Sequence, residues 1–533
     1  MLGKRKSAYL LLAFVFALSL LLAACGGKSG NDAGSSASAD NPASQAPEVS
    51  ASASAPASAA GGADTSEAVT LKMILLGGKP ADFDKVWSEV NAKLKAKINA
   101  TVDVEFLDWA DWNQKYPLKF AASEDFDIIY TANWAYYNDQ ALKGGFLELT
   151  DDLLQKYAPL TWANMPKVSW EQAKVNGKLY MVPNNNVEVT NKIVLYREDL
   201  RKKYNLPEIN SLESYANYLK TVAKNEEGIV AYGAKAADGW KWHELDQATL
   251  EQNNDFHVVD TRVPLAYKLD DATGQVFDIY ETPQFKELLG YYKDLADNGV
   301  WSKNVVSNKN DVWQDMKAGK VTSYAQNLGT TASNMEEARR DTPNQEFMIA
   351  DITPNSKKIA AISTQNGLAI HATSKNVERS LMLIDLLQND REIHDLTMYG
   401  IAGEHYIPEG DDKYTPGPSA TNYTGFSNWG WNSQLNRQDA QYPQEANDMF
   451  NRWQSQIYHF PLETYVFDDS NVKTEVANVS NVMLRYAIPL EYGLVKDVDK
   501  GLADLIKQLK AAGIDKVQQE MQSQIDAFLA GRK

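Results

Sequence analysis

Residues 69–78 read Val-Thr-Leu-Lys-Met-Ile-Leu-Leu-Gly-Gly, and this run decides the fold class. It is nearly continuously apolar, as a strand covered on both faces must be, and two glycines stop it. Immediately after it Phe83, Val86, Trp87, Val90 and Leu94 recur at three and four residues, the single stripe of an amphipathic helix. Val102, Val104 and Phe106 then alternate, and Phe126-Asp-Ile-Ile-Tyr130 gives a further short apolar strand. Strands separated by helices predict an α/β architecture built on a parallel sheet.

Further along, Gly177 to Pro183 reads as a strand stopped by proline, and Lys192 to Tyr196 as another. A helix is expected from Ser211 to Ala223, carried by Leu212, Tyr215, Leu219 and Val222. Gly367-Leu-Ala-Ile370 reads as one more strand, leading into a helix near Val377 to Leu387 with Ser374 or Asn376 as its cap. Two stripes close the chain: Leu502, Leu505, Ile506 and Leu509, then Val517, Met521, Ile525 and Phe528 beyond Gly513. The 533 residues suffice for two large domains or several small ones, and no repeat of solenoid length is present.

On the amino-terminal side the composition changes twice. Residues 26–68 are Ser, Ala, Gly, Pro and Asp with Val49 as the one bulky apolar residue, a tether that cannot bury enough surface to order itself. Before it, Lys4, Arg5 and Lys6 precede the apolar run Ala8 to Leu22, which ends in Leu22-Ala-Ala-Cys25. That run is short for a membrane span and reads as a signal peptide over residues 1–24, and its end resembles the bacterial lipobox, which implies that Cys25 receives lipid. Cys25 is the only cysteine, so no intramolecular disulfide forms. The predicted location is the outer face of a bacterial cell membrane, held there by lipid.

Charge narrows the partners. With 53 Lys+Arg against 70 Asp+Glu the chain is 17 negative, which repels phosphate backbones and argues against nucleic acid. Phosphate-loop, dinucleotide, nucleophile-elbow and zinc-protease motifs are all missing, and the six histidines lack metal-ligand spacing. No cofactor and no metal are expected, a calcium ion held by dispersed oxygens being the one exception left open. A glycosidase needs two carboxylates alone, for which Glu124 with Asp127, or Asp468 with Asp469, are candidates. Each pair reads more simply as a solvated edge, so the chain is taken not to be an enzyme.

Four motifs in order carry a resemblance. They are Ala121-Ala-Ser-Glu-Asp-Phe-Asp-Ile-Ile129, Val175-Asn-Gly-Lys-Leu-Tyr-Met-Val-Pro183, Leu195-Tyr-Arg-Glu-Asp-Leu200, and Asn366-Gly-Leu-Ala-Ile-His-Ala-Thr-Ser-Lys-Asn376. Behind a lipid-attachment motif this series resembles the extracellular solute-binding proteins of carbohydrate ABC importers. The segment Tyr399 to His405 resembles the large lipoproteins of Gram-positive bacteria within that group. The resemblance implies a two-lobed periplasmic-binding-protein-like fold with a helix-rich C-terminal region. It places one lobe at 69–188 plus 362–400 and the other at 189–361 plus 401–533, closing by hinge motion. It further implies an oligosaccharide ligand, permease partners in the membrane and a monomeric chain. A carbohydrate-sensing subunit of a membrane receptor is the alternative.

A sugar presents flat C–H faces and a rim of hydroxyls, so its site needs aromatic rings edged by hydrogen-bonding groups. Asn133, Trp134, Tyr136 and Tyr137 follow the strand ending at Tyr130, the place where open α/β sheets bind ligands. Trp109 follows the strand through Phe106 in the same way, and Asp127 is a candidate hydroxyl acceptor. In the other lobe Trp240 and Trp242 stand in a polar aromatic loop, and Trp429 and Trp431 in a Gly, Ser and Asn context. Asn184 and Asn366 fall at the two expected crossings between lobes.

Overall fold

The computed structural model describes residues 64–531 apart from 123, 186–188, 235–243, 309 and 361–362. The signal peptide, Cys25, most of the tether, Trp240 and Trp242 lie outside the described residues.

Strand β1 (Val69–Leu76) runs parallel to β2 (Ala100–Leu107) along its whole length, from Val69 opposite Ala100 to Leu76 opposite Leu107. Its other edge pairs in parallel with β3 (Ile128–Thr131). Helix α1 (Phe83–Ile98) buries Phe83, Val86, Trp87, Val90 and Leu94, the stripe that the spacing predicts. Beyond β3 the sheet is mixed where an all-parallel one is expected. Strand Gly367–Ile370 pairs antiparallel to β3, and Val182–Pro183 lies on its far side. The reason is the direction of arrival: this strand returns from the second lobe at the carboxyl edge of β3 and has to run backwards. Gly367 permits the close approach, because a Cβ there would lie 2.5 Å from the Val182 carbonyl oxygen. The expected strand 177–183 is instead a hairpin, with Lys174–Val175 against Lys178–Leu179, followed by Val182–Pro183. Asn176 and Gly177, both at positive φ, make its turn.

Strand Lys192–Arg197 opens the second lobe as the centre of an antiparallel sheet between Ser323–Asn327 and Phe347–Ala350. Helix Leu212–Asn225 begins at Ser211, whose hydroxyl accepts from the Ser214 N–H. Its buried face joins one large core with Phe285, Leu289 and Tyr292 and with the C-terminal helices, through Val479, Leu505, Leu509, Val517, Met521 and Ile525. Among the described residues no helix is long and apolar enough to cross a membrane.

The first core holds Leu71, Ile129, Val182, Leu368 and Leu383, and also Tyr423, Phe426 and Trp431. The last three were expected in the second lobe. They pack on the first because Leu76 and Ser427 exchange hydrogen bonds of 2.9 and 2.8 Å, binding the 425–431 loop to the end of β1. The chain therefore crosses again after Trp431, reaching the second side with helix Gln444–Gln454, whose Ala446, Met449 and Trp453 pack with Leu195 and Ile349. The crossings are bonded to one another. Asn184 N–H donates to Asn366 O at 2.9 Å, Thr190 N–H to Ile359 O at 3.0 Å, and Asn185 N–H to Asn432 O at 2.8 Å.

Candidate functional site

The carboxyl edge of the first sheet gathers five of the expected aromatic and polar residues. β1 is followed by Gly77 with φ of +114°, where a Cβ would lie 2.3 Å from Gly425 O and 2.7 Å from Phe426 Cα. Glycine lets the 425–431 loop lie across the strand ends. Trp109, leaving β2, donates from Nε1 to Gly425 O at 3.0 Å and stays 39% exposed. Trp429 lies nearly parallel to it, with ring centroids 5.8 Å apart and planes 10° apart. Such a pair with one open ring offers a flat apolar surface next to hydrogen-bonding groups, which suits a pyranose face.

A polar relay runs beneath this surface. Trp429 Nε1 donates to the Tyr130 hydroxyl at 2.9 Å, Tyr130 donates to Asn366 Oδ1, and the Asn366 carbonyl accepts from Asn184. The loop after β3 is tied to the same crossing: Asn133 N–H donates to Thr364 O at 2.8 Å and Trp134 Nε1 to Gln365 O at 2.9 Å. Tyr136 sits at φ of +61°, donates its hydroxyl to Asn113 O at 2.6 Å and stacks on Tyr116. Trp112 meets the Trp134 and Tyr136 rings edge-on. Asn133 is exposed, and Trp134 and Tyr136 are half-buried.

The other expected residues are placed differently. Tyr137 is fully buried against Phe146, with its hydroxyl on Ala173 O, because it opens a short helix whose inner face meets the core. Trp431 is also fully buried and donates to Thr397 Oγ1 at 3.1 Å. Asp127 lies at the opposite, amino-terminal end of β3. Its carboxylate accepts from Lys72 N–H, Ser374 Oγ and Asn376 Nδ2, tying the strand to the start of helix Val377–Asn389. Asn376 thus spends its amide on Asp127, and neither it nor Ser374 caps that helix by the side chain. Asn184 and Asn366 are 4% exposed and brace the crossings.

Both carboxylate pairs weighed for glycoside cleavage are engaged in structure. Glu124 is held by Lys119 at 2.7 Å and Asp127 as described. Asp468 accepts from Ser470, and Asp469 pairs with Arg262 at 2.7 Å. Asp82, Glu404 and His405 bring ligand-type atoms within 4.8 Å of one another. Ile401 N–H donates to His405 Nδ1 at 2.9 Å, so Nε2 carries the proton and donates it to Asp82, while Lys85 takes Glu404. That cluster is a hydrogen-bonded Asp82–His405 pair beside a Lys85–Glu404 ion pair.

In the second lobe, polar groups that sequence reading did not single out lie just after the first crossing. Lys192 pairs with Glu244 at 2.6 Å and reaches Gln326 at 3.0 Å. Burial pushes the Glu251 carboxyl up to about 7. Tyr130 was also missed. Tyr130 reads as plain core because its ring is, and only its hydroxyl reports on the loop above.

Residues 77–392 match the family of bacterial extracellular solute-binding proteins, and residues 461–530 a domain of unknown function. The chain belongs to the bacterial extracellular solute-binding protein family and has its two-lobed fold. A carbohydrate ABC transporter substrate-binding protein of Streptococcus pneumoniae is 25% identical over 482 residues, 88% of this chain and 93% of that protein. A polygalacturonan/rhamnogalacturonan-binding protein of Bacillus subtilis is 22% identical over 285 residues, 51% of this chain and 54% of its own. Among solved structures, the N-glycan transport solute-binding protein of S. pneumoniae superposes with a TM-score of 0.73 at 23% identity, covering 88% of this chain and all of that one. It has also been solved in complex with Man5GlcNAc.

Proposed function

We propose that this chain is the substrate-binding subunit of a carbohydrate ABC importer, capturing an oligosaccharide between its lobes and delivering it to a permease. The observation that carries the reading is the Trp109–Trp429 pair, with one ring open, at the carboxyl edge of the sheet. Asn133, Trp134 and Tyr136 extend that surface toward the crossings. The described relatives support the sugar class, since one is named for carbohydrate transport and another was solved with a glycan bound.

In this reading the first lobe comprises residues 69–183, 367–400 and the 401–431 segment packed on it, and the second takes 192–357 with 446–531. Contacts that need both lobes exist only in the closed form, so a ligand making them shifts the population toward closure. No bond of the sugar is broken. Cys25 carries the lipid that holds the chain at the outer face of the membrane.

The test is thermal melting and calorimetric titration of the chain against a panel of oligosaccharides, with each sugar analysed afterwards. A ligand at a hundred times Kd adds about 2.7 kcal/mol to the folded state, visible as a raised melting temperature. A shortened sugar would establish hydrolysis instead, and silence across the panel would remove carbohydrate as the ligand.

A further inference from the structure

Trp134 and Trp429 both end their hydrogen bonds on the return crossing, one directly and one through Tyr130. An indole carries a single N–H and no acceptor, so each ring has one bond to give. Trp134 gives it to Gln365 O at 2.9 Å. Trp429 gives it to the Tyr130 hydroxyl at 2.9 Å, and that hydroxyl donates in turn to Asn366 Oδ1, one residue further along the crossing. The Asn366 carbonyl accepts from Asn184 N–H at 2.9 Å, and Asn184 Nδ2 reaches back to Trp429 O at 3.4 Å. These bonds close a circuit of four residues through the outgoing crossing, the return crossing and the 425–431 loop.

Tyr130 is the joint of the circuit. Its side chain is fully buried in β3, with its ring 5.8 Å from that of Trp134 and 6.3 Å from that of Trp429, the second edge-on. Gly430 lets the loop reach it, because a Cβ there would lie 2.8 Å from Tyr130 Cδ2. A phenylalanine ring would fill the same space, so packing alone asks for no hydroxyl here. Without it the Trp429 N–H and the Asn366 Oδ1 lose the partner that joins them, and bonds in such a chain strengthen one another. Trp429 is otherwise held by stacking on Trp109, which is bonded to the same loop through Gly425 O at 3.0 Å. That contact moves with the loop, whereas the Tyr130 bond fixes the ring against the crossing. A ring fixed in place before the ligand arrives loses less freedom on binding.

We propose that Tyr130 is the positioning residue of the sugar platform, and that the platform is coupled to the crossings: Trp429 stays parallel to Trp109 only while Tyr130, Asn366 and Asn184 remain joined. The bonds between the crossings thereby set the face offered to the ligand. The sugar part of this inference rests on the proposed function, and the coupling does not require it.

The experiment has two arms on the full chain, for wild type, Tyr130→Phe, Asn366→Ala, their double variant and Trp109→Ala. Near-ultraviolet circular dichroism without sugar reads the stacked tryptophan pair as the signal that disappears in Trp109→Ala. Calorimetric titration with Man5GlcNAc reads affinity. Tyr130→Phe and Asn366→Ala are each expected to lose most of the pair's signal and to bind about ten-fold more weakly, the worth of one hydrogen bond. The double variant should bind no more weakly than either single one, whereas independent contributions would multiply to about a hundred-fold. A purely structural loss would lower the melting temperature and leave the pair's signal in the folded protein as it was. Should Tyr130→Phe not fold, Asn366→Ala breaks the next bond of the circuit and gives both readouts. Wild-type dichroism and affinity in Tyr130→Phe, with binding lost in Trp109→Ala, would overturn this inference and leave the proposed function standing. Multiplying losses in the double variant would overturn the coupling to the crossing. Silence of the wild type toward the whole oligosaccharide panel would remove the proposed function, and the dichroism arm would still decide the coupling.

Discussion

Gly77 and Trp109 show what single positions do at this edge. At Gly77 the backbone takes a φ of +114°, and the 425–426 backbone occupies the space of a side chain. Gly77→Ala is expected to cost about 1–3 kcal/mol of stability through strain at that φ and to dislodge Trp429 from Trp109, measured by denaturant unfolding and tryptophan fluorescence. Trp109→Ala leaves the backbone intact, so its effect should appear in binding. Sugar affinity should fall by at least about 0.5–1.5 kcal/mol, the stacking contribution, at unchanged melting temperature. The sequence made the loop aromatics Trp109, Trp134 and Trp429 legible because they stand after strands or among turn-forming residues. It could not separate Tyr136 from Tyr137. Adjacent residues on a helix start point to different sides, and which side meets the core depends on Phe146, a contact made through tertiary packing.

At the level of elements, the helices Val498–Ala512 and Ile514–Ala530 were readable from their stripes, with Gly513 at φ of +95° ending the first. Their role was not readable, because a stripe states that a face is buried and not against what. The structure buries Leu509, Val517 and Met521 in one core with Phe285 and Tyr292. Leu509→Ala should therefore destabilise the second lobe by about 2–5 kcal/mol, checked by urea unfolding. Truncation at residue 460 should leave that lobe unfolded rather than shortened. The strand misread as 177–183 has a local cause: Asn176-Gly177 supplies a two-residue turn, and the hairpin uses residues that alternation alone would extend into one strand. Strand Gly367–Ile370 was legible, but its backward direction was not, because strand direction is set by where the chain comes from, over a hundred residues earlier.

Across the whole molecule, buried acids set the pH response. Burial pushes Asp278 and Glu251 up to about 7, and burial with the neighbouring Asp439 does the same to Glu336, while Glu491 is driven well above the carboxyl range by burial and Asp246. A carboxyl raised in the folded state contributes stability that is complete below its unfolded pKa near 4 and is lost as pH rises through 7. Burial lowers His257 to about 4, which works the other way: that stability is present above the ordinary histidine range and is lost as pH falls toward 4. Between about pH 4 and 7 the three raised carboxyls outweigh the one histidine, so these groups together predict stability greatest near pH 4 and falling as the pH rises through 7, with Glu491 extending the fall above that. Melting temperatures from about pH 4 to 9 check it, and Asp278→Asn should make the fall through pH 7 less steep.

The three crossings, near residues 184–191, 357–366 and 432–443, have a meaning for breakage as well as for bending. A protein whose halves hang on a single strand of chain is severed by one cut. Here a protease nick in any one crossing leaves two covalent routes between the halves. Nicked chain should run as fragments under denaturing conditions, yet migrate as one particle and still hold its sugar under native ones. Outside the cell, where foreign proteases are met, such redundancy keeps a damaged binding protein in service.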